Sequence, residues 1–171
     1  MLSYKIKRKS LRIYTVKKIM NAIAAGITIA IVVLVFQALK FESVYGTGSG
    51  AIIYASVGAS AFILFIMPKS RAASKTALIV SYVLAGVVGY LSYTLSIYMG
   101  DVIASAVAVA SISSLMVILR QEHPPAAGLA LAFVLYGIGP YGIGLVVSLG
   151  VLIVMISYTL EALISGVEKE I

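Results

Sequence analysis

Six stretches of apolar residues, most of them about long enough to cross a bilayer, restrict this chain to a bundle of transmembrane helices. A spanning helix needs about 20 apolar residues at about 1.5 Å of rise each. Hydrocarbon offers no partner to an open backbone amide, so helices are the form such runs adopt. Residues 19–39, 50–67, 77–99 and 102–119 meet or nearly meet the length. Residues 126–138 would reach only about 20 Å as a helix, so this fifth segment is read as short or discontinuous. Residues 142–164 form the last span. The expected fold class is all-α, a polytopic transmembrane helix bundle of six segments. Residues 1–18 form a basic N-terminal segment, 19–164 the membrane domain and 165–171 a polar tail.

Composition agrees: 61% hydrophobic residues, 11% charged and a mean hydropathy of +1.09 lie outside the soluble globular range. The net charge of +7 comes largely from residues ahead of the first apolar run, which suits a membrane surface and not nucleic acid. The chain has no cysteine, excluding disulfides, thiolate metal sites and iron-sulfur clusters. One histidine and scattered carboxylates do not suggest a metal site, and no cofactor is expected.

Lysine and arginine are retained on the cytoplasmic side. Lys5, Lys7, Arg8, Lys9, Arg12, Lys17 and Lys18 precede the first span, Lys69, Arg71 and Lys75 follow the second, and Arg120 follows the fourth. Six crossings place all of these on one face, with only Lys40, beside Glu42, opposite; Asp101 falls on that outer side. A re-entrant fifth segment would flip the last helix. The first run is long and lacks a small-residue cleavage site, so it reads as a span and not a removable signal. A prokaryotic cell membrane with a cytoplasmic N-terminus is expected. Tyr45, Tyr98 and Tyr141 fall near the outer boundary and Tyr4, Tyr14 and Tyr158 near the inner one, as in an interfacial aromatic belt.

Small residues at four-residue spacing mark faces for close helix approach: Ser81, Ala85 and Gly89; Ala104 and Ala108, with Ala106 and Ala110; Gly144 and Ser148. A weak internal similarity relates the segment from Val57 to Pro68 to that from Pro125 to Pro140. Each is followed by Ser-Tyr-Thr-Leu, at Ser92 and at Ser157. Units of three spans would then be inverted relative to one another.

The segment Gln121-Glu122-His123-Pro124-Pro125-Ala126-Ala127-Gly128 breaks the apolar pattern with the only histidine and two consecutive prolines. Proline cannot continue a helix but can begin one, so the fifth helix is expected to start at Pro124 or Pro125. Its first amides, at Ala126, Ala127 and Gly128, would present positive partial charge to an anion, with Arg120 and His123 adding charge or hydrogen bonds and Glu122 opposing unless it pairs with Arg120. His123 could equally carry a proton. The plainer alternative is a polar surface loop followed by helix-starting prolines.

Gly58-Ala59-Ser60-Ala61, Pro68 and His123-Pro124-Pro125-Ala126-Ala127-Gly128 together resemble the HPP family of integral membrane proteins, over most of the chain from the second span to the last. Plant and cyanobacterial relatives are associated with nitrite transport, so the resemblance implies a small-anion transporter. Many members carry Gln-Pro-Arg-Asn in the loop after Pro68 and a histidine in the next helix; here the nearest positions read Ser74-Lys75-Thr76-Ala77, with Tyr82 near the place of that histidine.

A transporter or channel for a small anion, without enzymatic activity, is therefore the leading expectation. The site would combine Arg120, His123, Pro124, Pro125, Ala126, Ala127 and Gly128, with Gly58, Ala59 and Ser60 as a facing wall. So small a bundle suggests a homo-oligomer in the lipid bilayer. One alternative is a non-transporting membrane subunit that docks a partner through its basic N-terminal segment. Another is an intramembrane serine hydrolase with Ser60 as nucleophile and His123 as base; with Ser60 placed mid-span and His123 at the inner edge, the two are not expected to meet.

Overall fold

The computed structural model of the chain describes residues 2–40 and 49–170, with side chains over 14–40 and 50–167. Tyr45 and Glu42 lie outside the described residues, as do the side chains of Tyr4, Lys5 to Arg12 and Glu168 to Glu170. All long elements are helical: α1 (Leu2–Ala38), α2 (Ser49–Ile66), a single 3-10 turn (Arg71–Ala73), α3 (Lys75–Ile118), α4 (Pro125–Tyr136) and α5 (Tyr141–Glu170). Stretches of α1, α3 and α5 are long and apolar enough to span a membrane, while α2 and α4 are shorter apolar helices. α1 continues without a break through residue 18, so the basic segment and the first span share one helix.

The third and fourth expected spans are two arms of α3. Gly100, at φ 78° and ψ 161°, breaks the helix between them, a conformation that only glycine adopts without strain. A straight helix of 44 residues would be about 66 Å long, with Ser81 and Gln121 at opposite ends. Instead the Ser81 hydroxyl donates to the Gln121 carbonyl at 2.6 Å, so the second arm doubles back along the first. Six segments result, as the hydropathy pattern predicts.

Contacts at the helix ends fix which ends share a face. The Lys18 ammonium donates to the Ile66 carbonyl at 2.9 Å and the Asn21 amide to that of Phe65 at 2.8 Å, joining the first half of α1 to the end of α2. Lys75, opening α3, pairs with Glu161 of α5 at 2.6 Å, its ammonium 3.7 Å from the Tyr158 ring centroid. At the other end Gly137, which closes α4 in the left-handed conformation, lies against Tyr93, whose ring would be 3.4 Å from a Cβ placed there. α4 thus runs from the end that carries Lys18 and Lys75 toward the opposite one, and α5 returns to it. Tyr98 and Tyr141 are exposed at one end and Tyr14 and Tyr158 at the other, the arrangement expected of an aromatic belt.

Small residues set how tightly α4 and α5 pack on α3. A Cβ on Gly89 would lie 2.9 Å from the Phe133 ring and 3.0 Å from Ala130 Cα, and one on Gly150 3.0 Å from the Tyr82 ring. Ser81, Ala85 and Gly89 are buried, as are Ala104 and Ala108, which meet Val134 of α4. Ala106, Ala110, Gly144 and Ser148 are exposed instead. On the second arm burial falls at Ala104, Ala108, Ile112 and Met116, a single narrow stripe that leaves the alanines two positions away facing outward.

Candidate functional site

The second arm of α3 ends in a Schellman motif. The Gln121 amide donates to the Met116 carbonyl and the Arg120 amide to that of Val117, with Arg120 at φ 55° in the left-handed position this motif requires. The turn directs the next residues into the bundle, where Gln121 is held by Ser81. His123 follows, fully buried. Pro125 then opens α4 at a position where its missing N–H goes unfelt.

At that depth His123 meets Ser60. The Ser60 Oγ lies 2.8 Å from His123 Nε2, 2.9 Å from the Tyr82 hydroxyl and 2.9 Å from the Ser56 carbonyl one turn earlier. His123 Nδ1 lies 2.7 Å from the carbonyl oxygen of Ala72 in the 3-10 turn. The expectation that Ser60 and His123 stay apart is thus overturned. Ser60 is six residues from the end of α2, about 9 Å along the axis, and the loop after Arg120 dips to its level.

A carbonyl oxygen only accepts, so Nδ1 carries a hydrogen and donates to Ala72. The remaining hydrogens can be placed in two complete ways. With a neutral ring, Tyr82 donates to Ser60 and Ser60 donates to Nε2. With a proton on Nε2, the ring donates to Ser60, Tyr82 still donates to Ser60, and the Ser60 hydrogen turns to the Ser56 carbonyl. One hydroxyl rotation accommodates the added proton without orphaning a group. A proton on Nε2 would leave a buried charge with no counter-ion among the described residues, so the neutral arrangement is the resting one.

The other expected site residues separate into two groups. α2 and α4 face each other, and between them lies a groove of about 630 Å³ lined by Ala59, Ser56, Pro124, Pro125 and Gly128. Gly128 touches Ser56 so closely that a Cβ would fall 2.6 Å from its hydroxyl. The expected free amides are not free: that of Ala126 donates to the His123 carbonyl and that of Ala127 to the Pro124 carbonyl. Ala126 is also fully buried. The tight first turn satisfies internally the donors an anion would have used. Arg120 is exposed and, among the described residues, does not pair with Glu122; its left-handed backbone turns it away from the buried cluster. Gly58 is half-buried with open space beside its Cα.

Sequence reasoning did not assign Tyr82, Ser56 or the Ala72 carbonyl to the site. Tyr82 left one signal, standing near the place of a histidine in similar proteins. The other two left none, since a backbone carbonyl has no sequence signature and serine is common on packed helix faces.

A buried Ser-Tyr-His cluster at a His-Pro-Pro turn, inside a helical membrane bundle, is the setting in which comparison with known families becomes decisive. The family model for the HPP transmembrane region matches residues 11–167. The chain belongs to the HPP transmembrane family. It is accordingly a multi-pass membrane protein, and the family match covers every segment that builds the cluster. Comparison of this HPP protein with curated proteins and with solved structures gave no match.

Proposed function

We propose that this HPP protein carries a small anion, nitrite being the first candidate, across a cell membrane together with a proton held on His123. The observation that carries the reading is the fully buried Ser60–Tyr82–His123 cluster. Polar and ionisable groups at membrane depth are costly, and they concentrate where a polar species must pass. The cluster lies behind the α2–α4 groove at the start of the short fifth segment, the kind of place transporters use for binding. The facing of α2 and α4 also supports the pairing of the two three-span units.

Ser60 and His123 are closed off in this conformation, so the anion enters when the first turn of α4 moves from α2. Pro124 and Pro125 ease that movement because neither donates a backbone hydrogen bond that would have to break. A proton on Nε2 keeps all its hydrogen bonds but leaves a buried charge, which an anion beside it would offset. Proton and anion therefore favour each other's binding. The basic ends of the helices face the cytoplasm in this reading, and the outward-facing Gly144 and Ser148 suit a homo-oligomer contact.

The test is uptake of nitrite, nitrate, formate and chloride into proteoliposomes with and without an inward proton gradient, using wild type, His123→Ala and Ser60→Ala. Saturable nitrite uptake that follows the gradient and fails in both variants supports the proposal. Gradient-independent uptake, or uptake undiminished in both variants, refutes the role of the cluster. No flux of any anion, with a stoichiometric soluble partner co-purifying, would replace the reading with that of a partner-dependent subunit.

The 2.8 Å Ser60–His123 contact also favours a hydrolase in geometry: His123 Nε2 would take the Ser60 proton as Oγ attacks a carbonyl carbon. Against this, the nearest amides at the start of α4 are already bonded, leaving no evident donor pair for an oxyanion there. Covalent labelling of Ser60 by a fluorophosphonate would establish it; an unlabelled, folded protein removes it.

A further inference from the structure

At the end that carries Lys18 and Lys75, the buried cluster is held by a turn with little packing of its own. The 3-10 turn Arg71–Ala73 buries none of its side chains, yet its Ala72 carbonyl accepts the His123 Nδ1 hydrogen at 2.7 Å. His123 immediately precedes Pro124 and Pro125, so this one bond ties the turn to the start of α4. The segment ahead of the turn is undercut, with Pro68 lining cavities of about 740 Å³ and about 240 Å³. Segments with few buried apolar contacts open at low free energy, and the space beside this one lets it swing without displacing a packed core.

What anchors the turn lies just beyond it. Lys75 opens α3 and reaches across to α5, where its ammonium meets the Glu161 carboxylate at 2.6 Å and the Tyr158 ring centroid at 3.7 Å. A lysine in the first turn of a helix faces the positive end of the macrodipole, and α3 carries no acidic residue there to offset it. The Ala77 amide reaches the capping Ser74 hydroxyl only at 3.4 Å. Local helix chemistry therefore neither accounts for this lysine nor fixes the helix start firmly; its ties to α5 do.

We infer that the Arg71–Ala73 turn is a strap that holds the cluster closed, with the Lys75–Glu161 pair as its latch. When Lys75 parts from Glu161 the start of α3 is freed, the turn lifts, and the Ala72 carbonyl gives up His123 Nδ1. The start of α4 is then untied, and its first turn can leave α2. The strap rests on the transport reading for its purpose, since a carrier shuts its site on one side while opening it on the other. Its geometry stands without that reading, because Ala72 covers His123 Nδ1 whatever the site carries.

The experiment measures how fast diethyl pyrocarbonate modifies His123 in the purified full chain, in detergent, without added anion and without a polyhistidine tag. His123 is the only histidine, so the absorbance of the carbethoxylated ring reports it alone, with the position checked by mass spectrometry. Modification should be slow in wild type, about fivefold faster in Lys75→Gln, which loses both contacts, and about threefold faster in Glu161→Gln, which keeps the ring contact. The exchanged pair, Lys75→Glu with Glu161→Lys, should return the rate toward that of wild type. Gly89→Ala, about four turns along α3 from the latch, should lower the melting temperature without a matching rise in rate. Equal rates in wild type and both single variants overturn the strap, as does a rise that the exchanged pair fails to reverse or that Gly89→Ala shares in proportion to its lost stability. Nitrite uptake failing in every protein while the labelling pattern holds would remove the transport reading and leave the strap in place.

Discussion

Replacing Ser60 with alanine removes a single oxygen and strands two buried partners. Tyr82 loses the acceptor for its hydroxyl, and His123 Nε2 loses its donor. A buried polar group deprived of its partner costs about 1–3 kcal/mol, so the two together cost about 2–6 kcal/mol, the upper value holding only if the rings cannot approach each other. Their centroids stand 6.0 Å apart in a packed environment, which limits that relief. Tyr82→Phe is milder: Ser60 still donates to His123, and about 1 kcal/mol is lost with one hydrogen bond. In the double variant no tyrosine hydroxyl remains to be stranded. Its destabilisation should therefore fall short of the sum of the single effects by about 1–3 kcal/mol. The assay is unfolding by dodecyl sulfate in mixed micelles, followed by far-ultraviolet circular dichroism because the chain has no tryptophan. Effects that add to within about 0.5 kcal/mol would refute the shared-oxygen arrangement.

Three further outcomes follow from particular contacts. Gly89→Ala should destabilise by about 1–3 kcal/mol, since the new methyl meets the Phe133 ring and the Ala130 backbone, whereas Gly128→Ala should cost less because Ser56 can rotate away and Gly58→Ala should be near neutral; the same unfolding assay ranks them. Gly100→Ala places a side chain at φ 78° and should cost about 1–3 kcal/mol, visible as a lowered melting temperature. Because His123 is fully buried, charging it costs stability, so the melting temperature should fall as pH drops below the ordinary imidazole value of about 6.5; His123→Gln should flatten that decline, and an unchanged profile would contradict a buried neutral imidazole.

The six segments, their alternation and the clustering of basic ends were legible in the sequence because the bilayer enforces them. Each run must satisfy its own backbone, and each loop must hold residues that tolerate water. The helix-starting prolines and the break near Gly100 were legible for the same local reason. The meeting of Ser60 with His123 was not, although both residues stood out. Hydropathy places a residue along a segment, but it does not report how deeply a polar loop sinks. That depth depends on the left-handed turn at Arg120 and on Ser81 holding the Gln121 carbonyl. The free amides expected at Ala126 and Ala127 failed for a related reason, since the tightness of a helix's first turn is a matter of geometry and not of residue type.

What the sequence by itself determined is the class of molecule, the span count and the residues eligible for a site. Those follow from transfer free energies and backbone rules that act within about 20 neighbouring residues. Only the tertiary structure decided which eligible residues share a hydrogen bond and which small-residue faces are buried. These depend on the rotation and depth of helices relative to one another, which close packing of the whole bundle sets and no single segment encodes.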